Sequence, residues 1–301
     1  MTYTANNLKS FALLLLSTLL GTHAIAQTYH YGSLNYPGAK TTVANGINNN
    51  GVVVGAYVDD NNKNHGFVYR KGSYVRIDVP NATSTFANGI NDYGDIVGTY
   101  SVPGTSSNPA NSYGFLLHAG TFKRIACPGA QFSSASGVNK TGVIVGGCET
   151  SIGFQGYVYT AGKFHYVNAP TVGPTDTQLN GVSNTGQLVG QVFSGDNNRG
   201  FWILGSDLDF LRPYLDRDNV VESVNGRGDI AGCYNGSQAF LAHNPESSEG
   251  EGSAEKFPAL LTLSPFGSKT ACVMGINYPR AIVGWYYDAS FKQHGFLGTP
   301  Q

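Results

Sequence analysis

The chain has 301 residues, 12 % of them charged, with a formal net charge of -1 and Lys and Arg scattered without runs. That balance excludes the electrostatic footprint of a nucleic-acid binder and gives no basic surface for anionic membranes. Forty glycines, close to twice ordinary usage, require frequent turns, and 18 Tyr with 16 Phe against two Trp and two Met favour strands over helices.

Residues 1–26 read as a secretory signal peptide. Lys9 precedes an apolar run from Phe11 to Leu20, and Ala24-Ile25-Ala26 supplies a small-residue cleavage site. The apolar run is too short for a stable membrane-spanning helix. The mature chain, 27–301, is therefore expected to be one secreted domain, extracellular or periplasmic. It is expected to be monomeric and without membrane insertion, because no later stretch nears the roughly 18 apolar residues of a spanning helix. Cys127, Cys148, Cys233 and Cys272 form no C-x-x-C pair, and in an oxidising compartment they are expected in disulfides, with three pairings open.

One pattern recurs six times: a small polar lead-in, Gly-Ile-Asn or a variant, two variable residues, Gly, a β-branched run ending in Gly, then a Gly-Phe pair. The apolar anchors are Ile47, Ile90, Val138, Val182, Val224 and Ile276. Their spacing of about 40 to 50 residues indicates propeller blades or helical solenoid repeats. Gly, Pro, Asn or Asp breaks the unit every few residues, so it is a four-strand unit. In the first repeat, strands are predicted over Thr42 to Ile47, Val52 to Tyr57, Gly66 to Tyr69 and Tyr74 to Val79, with Pro80 ending the blade. Between the first two strands, Asn bonds its own backbone and Gly takes the left-handed conformation, so Asn48, Asn91, Asn139, Asn225 and Asn277 read as structural.

The fifth repeat carries a polar insertion, 244–256, before its last strand near Pro258 to Leu263. The sixth has strands near Cys272 to Ile276, Ala281 to Tyr286 and Gly295 to Leu297, then stops without a fourth. Tyr29 to Pro37, before the first repeat, matches the fourth-strand sequence Ser73 to Pro80 and can supply the missing strand. The prediction is an all-β, six-bladed β-propeller of four-stranded antiparallel blades, with the N-terminal strand completing the last blade and removing the open edges.

The tripeptides His65-Gly66-Phe67, Tyr113-Gly114-Phe115, Gln155-Gly156-Tyr157, Arg199-Gly200-Phe201, Gln238-Ala239-Phe240 and His294-Gly295-Phe296, with Gly-Ile-Asn upstream, carry a resemblance. The sequence resembles the bacterial extracellular repeat family named for its His-Ala-Phe tripeptide. The resemblance implies an exported propeller-like protein and no general activity. His stands in two of six copies, which argues against a His site repeated in every blade.

No Gly-x-Ser-x-Gly elbow, His-Glu-x-x-His motif or Walker loop occurs, so no catalytic residue is assigned. Gly226 to Ala231 matches a dinucleotide fingerprint on paper but falls on a hairpin with no helix to follow. Asp59, Asp60, Asn61 and Asn62, and Asp216, Asp218 and Asn219, offer oxygens to calcium but fit no loop motif, so no cofactor is expected beyond that weak calcium reading.

With this closure the innermost strand of each blade lines the axis. Asn45, Asn88, Ser136, Asn180 and Glu222 are the candidate ligand-binding residues, with Met274 at the sixth position. Thr42, Thr85, Ser133, Thr177, Asn219 and Ala271, three residues earlier, are expected to form a second ring at the same axis, giving a wet, mostly neutral channel. Glu222 is its one charge and the first residue to test if the protein is an enzyme. The same geometry sets Cys233 against Cys272 in adjacent blades, leaving Cys127 for Cys148. The function expected is a non-catalytic binding or scaffold module recognising a glycan or protein through one face, with exposed Tyr93, Tyr113 and Phe291 as supports. The alternatives are an extracellular hydrolase or lyase on a polysaccharide or lactone at the channel, and a structural envelope or matrix protein.

Overall fold

A computed structural model describes residues 28–104, 111–169, 176–194, 197–205, 207–211, 218–235, 237–243 and 261–301. The expected signal peptide and the insertion 244–256 lie outside the described residues. The chain begins with β1 (Tyr29–Leu34) and then builds blade after blade from the inside outward. Blade 1 is β2 (Thr41–Ile47), β3 (Val53–Val58), β4 (Asn64–Arg70) and β5 (Ser73–Ile77). Blade 2 is β6 (Ser84–Ile90), β7 (Ile96–Val102), β8 (Asn111–His118) and β9 (Thr121–Ile125). Blade 3 follows as β10 (Ser133–Val138), β11 (Ile144–Thr150), β12 (Gly153–Thr160) and β13 (Lys163–Val167). Blade 4 comprises β14 (Asp176–Val182), β15 (Leu188–Ser194), β16 (Asn197–Leu204) and β17 (Asp207–Phe210). Blade 5 comprises β18 (Asn219–Val224), β19 (Ile230–Tyr234), β20 (Gln238–Ala242) and β21 (Leu261–Leu263). Blade 6 holds β22 (Ala271–Ile276), β23 (Ile282–Tyr287) and β24 (Gln293–Pro300), and takes β1 as its outer strand.

Each innermost strand packs on that of the next blade and β22 returns to β2, closing a propeller ring. The seam is antiparallel, with Leu34 opposite Gly295 and Gly32 opposite Leu297, and the Gln301 N–H donates to the Thr28 carbonyl at 3.0 Å. Both disulfides form, Cys127 with Cys148 and Cys233 with Cys272. The second ties β19 to the first strand of the closing blade. Among the described residues no helix is long and apolar enough to cross a membrane.

The repeated Gly and Phe are one device. Gly55 of β3 stands opposite Phe67 of β4, and the same register pairs Gly98 with Phe115, Gly146 with Tyr157, Gly190 with Phe201, Gly232 with Phe240 and Gly284 with Phe296. All six rings are fully buried. A Cβ on Gly55 would lie 2.0 Å from the Val43 carbonyl oxygen and 2.8 Å from the Phe67 ring, so only glycine admits the aromatic. In blade 3 the ring is a tyrosine, and its hydroxyl, unable to stay unpaired in the core, donates to the Ser134 carbonyl at 2.7 Å.

The turn asparagines do two jobs. The Asn48 Oδ1 accepts the N–H groups of Asn50 and Val52, both at 3.0 Å, closing the β2–β3 hairpin, while its Nδ2 donates to the Asn91 carbonyl of the next blade. Asn91 reaches Asn139, Asn139 reaches Ser183, Asn225 reaches Asn277, and Asn277 returns to Asn48, at 3.0 to 3.2 Å. Ser183 stands where blade 4 would carry asparagine. Its hydroxyl accepts Thr185 N and Gln187 N but has no amide to extend to blade 5.

Candidate functional site

The axis is lined where the sequence placed it. In all six innermost strands the pairing register skips one residue, and the skipped residues are Asn45, Asn88, Ser136, Asn180, Glu222 and Met274. A bulge re-aims the side chain it releases, and these six line one chamber of about 90 Å³. The amide Nδ2 of Asn45 donates to the Ala87 carbonyl at 2.9 Å, that of Asn88 to Ala135 at 3.0 Å, and that of Asn180 to Val221 at 3.1 Å. Each amide thus sews its blade to the next.

The second ring is not at the axis. Thr42, Thr85, Ser133, Thr177 and Asn219 are buried, and their side-chain oxygens accept N–H groups from the preceding blade: Tyr36, Val79, Cys127, Ala169 and Gly200, at 2.7 to 3.1 Å. Three residues is an odd step along a strand, so Thr42 and Asn45 face opposite sides of the sheet. These groups pin the crossings between blades, and Ala271 takes the same buried position without a bond.

The axis is not polar along its whole length. Ile47, Ile90, Val138, Val182, Val224 and Ile276 line both the 90 Å³ chamber and a second space of about 70 Å³ bordered by the Asn turns. All six are largely buried, and together they form a collar of branched aliphatic side chains between two polar vestibules.

Glu222 sits within this chamber, and burial pushes its carboxyl up to about 7. Its carboxylate lies within 4.8 Å of the Cys233–Cys272 sulfurs. The chamber is far below the roughly 300 Å³ at which pockets for organic ligands begin. It therefore takes a water or an ion, and a polysaccharide does not enter it.

The other residues singled out in the sequence serve the fold. The Asp59 Oδ1 accepts Asn61 N and Lys63 N, and its Oδ2 meets His65 Nε2 at 3.2 Å while His65 Nδ1 meets Asp78 at 2.9 Å. In blade 6, Asp288 and Asn35 hold His294 in the same way. These are the two blades in which the tripeptide keeps His. The Asp218 Oδ1 accepts Asn198 N, and Asp216 lies outside the described residues. The Gly226 to Ala231 segment makes the β18–β19 turn, where buried Asp229 accepts Asn225 Nδ2 and His243 Nδ1 and forms a two-point pair with Arg280 at 2.8 and 3.3 Å. Burial alone would raise the Asp229 carboxyl, but the bonds from His243, Arg280 and Asn225 and the guanidinium charge hold it far below the usual range.

The exposed aromatics do not share a face. Tyr93 lies on the β6–β7 turn, at the Asn-turn end, whereas Phe291 lies on the β23–β24 turn, at the opposite end. Tyr113 is half-buried under the Arg124 guanidinium, 3.3 Å from its ring centre. Phe266, on the short 3₁₀ turn Pro265–Gly267 before β22, was not singled out from the residues alone. Phe266 and Phe291 both line a surface cleft of about 550 Å³ with Lys269, Thr270, Tyr287 and Asp288. Phe266 is 51 % exposed and Phe291 85 %. Both have left-handed backbone, at φ 53° and 60°. In the matching turn of blade 1 that position is Asn62, at φ 61°, a residue that tolerates the conformation.

No protein-family model and no curated protein matches the chain. Solved structures do match. A mutant of the Aleuria aurantia lectin in complex with Fucα1-6GlcNAc is 9 % identical at a TM-score of 0.51, covering 87 % of this chain and 94 % of that one. A puromycin-hydrolyzing peptidase of Mycobacterium tuberculosis is 9 % identical, covering 89 % of this chain and 53 % of that one, at a TM-score of 0.49. The β-propeller domain of the Trilobed protease from Pyrococcus furiosus is 12 % identical, covering 86 % and 94 %, at 0.46. The chain is a six-bladed β-propeller. At these identities the likeness is one of fold alone.

Proposed function

We propose that this propeller is an exported, non-catalytic binding module that recognises a glycan through the cleft between the end of blade 5 and blade 6. The observation that carries it is the pair Phe266 and Phe291. Left-handed backbone at a non-glycine residue costs about 1 to 3 kcal/mol, and here it is spent on holding two phenyl rings out in water. At Phe291 the fold gains nothing from that exposure, since Asn62 closes the equivalent blade 1 turn with ordinary chemistry, while Phe266 is braced at the cleft by Tyr286, with 4.8 Å between ring centres. Exposed rings beside Thr270, Lys269 and Tyr287 suit a saccharide, whose C–H faces lie on aromatics while its hydroxyls bond the polar rim. The Aleuria lectin, a ring of this class, has a saccharide bound.

Export accords with the N-terminal signal pattern and with two disulfides, which persist in oxidising compartments. The tripeptide pattern supports membership of the His-Ala-Phe repeat family. Phe291→Ala is expected to abolish binding on a glycan array while leaving the unfolding midpoint unchanged, and Phe266→Ala to abolish it with a small fall in the midpoint from the lost contact with Tyr286. Undiminished binding by the double variant to whatever glycan the wild type captures would remove the cleft from the proposal.

A further inference from the structure

We propose that the axial chamber is a binding site for a hard, oxygen-seeking cation of the calcium class, held by the Glu222 carboxylate and the side-chain oxygens of Asn45, Asn88 and Asn180.

Nitrogen and oxygen of an asparagine are told apart by what surrounds them. In Asn45, Asn88 and Asn180 the NH₂ group faces a backbone carbonyl of the next blade, which only a donor can satisfy. The oxygens are thereby committed to the opposite side, and all three residues border the chamber. Among the described residues no donor bonds these oxygens. Asn180 is only 8 % exposed and borders a space of about 90 Å³, which suits a water or an ion.

Charge completes the set. Three neutral oxygens with one carboxylate make the donor class that calcium and its relatives take, and the Ser136 hydroxyl stands on the same ring. Glu222 is the only ionisable group on the chamber wall. On the neighbouring inner strand β14, Asp176 is committed to the Phe154 N–H, and β22 and β2 bring no ionisable side chain but Cys272, which is oxidised. An ionised Glu222 therefore has no partner charge in the wall, and a bound cation would supply one.

The site is independent of the surface cleft, so either can fail without the other. The test is calorimetric titration of the full oxidised chain with calcium chloride, alkaline of the Glu222 transition, against sodium chloride of equal ionic strength. One saturable site is expected with a dissociation constant of about 10⁻⁴ to 10⁻³ M, the range of extracellular calcium modules. Affinity should fall at least tenfold in Glu222→Gln and several-fold in Asn180→Ala, and Phe291→Ala should match the wild type. Should Glu222→Gln fail to fold, the double variant Asn45→Ala with Asn88→Ala decides, since it removes two of the proposed oxygens and should also lose affinity several-fold. No saturable heat in the wild type, a response equal to that of the sodium control, or a Glu222→Gln variant that binds as well would each overturn the site.

Discussion

Asp229 shows how one residue can decide an interface between blades. Its buried carboxylate takes bonds from Asn225 in its own turn, His243 in its own blade and Arg280 in the next. Arg280 itself sits at φ 67°, where the matching turns have glycine at Gly51, Gly94, Gly142, Gly186 and Gly228. The ion pair is what makes an arginine tolerable there. Because the folded carboxyl is held below its ordinary value of 3.8, the stability it contributes is complete above that pH. It is lost as pH falls through the acid range towards the folded value. Asp229→Asn is expected to cost about 3 to 5 kcal/mol at neutral pH, the usual penalty for removing one partner of a buried pair. It should also flatten the acid limb of urea midpoints plotted against pH. An unchanged acid limb would show that the pair does not control it.

At the scale of the element, the innermost strand and its turn are one repeated part whose exception is informative. The Asn ring runs forward around the disc and is interrupted at Ser183, between blades 4 and 5. Ser183→Asn restores the pattern of the other five turns, and one added buried bond is worth about 1 kcal/mol. A corresponding rise in melting temperature is expected, and a fall would mean that the seam there is too wide for the amide to span. Much of this element was legible beforehand. The repeat phase alone placed Asn45, Asn88, Ser136, Asn180 and Glu222 on one ring, because a repeated sequence puts equivalent residues at equivalent depth. The Thr42 ring was misplaced because strand alternation sends an odd step to the other face. The bulge could not be read from composition, and it is what turns Asn45 and its equivalents to the axis. The aliphatic anchors were recognised as a repeat, but that they line the bore together depends on the closed ring, which no single repeat displays.

At the scale of the whole molecule, pairing of the first strand with the last was read from the missing fourth strand of the sixth repeat, and β1 does pair with β24. Phe266 escaped notice because it lies in an irregular segment that belongs to no repeat. The value of Phe291 emerged only from setting it against Asn62 in the equivalent turn. Since Thr28 and Gln301 are hydrogen-bonded neighbours, their order along the chain is immaterial to the finished ring. A circular permutant joining residue 301 to residue 28, opened between β5 and β6, is expected to reach the same fold with both disulfides formed. Circular dichroism and disulfide mapping check it, and a permutant that stays unfolded would make the order of synthesis part of the folding requirement.

The aliphatic collar sets an apolar ring between the two polar ends of the bore. A charged solute entering from the Asn turns meets that ring before it meets Glu222. The end that bears Phe291 and the end that bears Tyr93 therefore offer different chemistry to whatever each one faces.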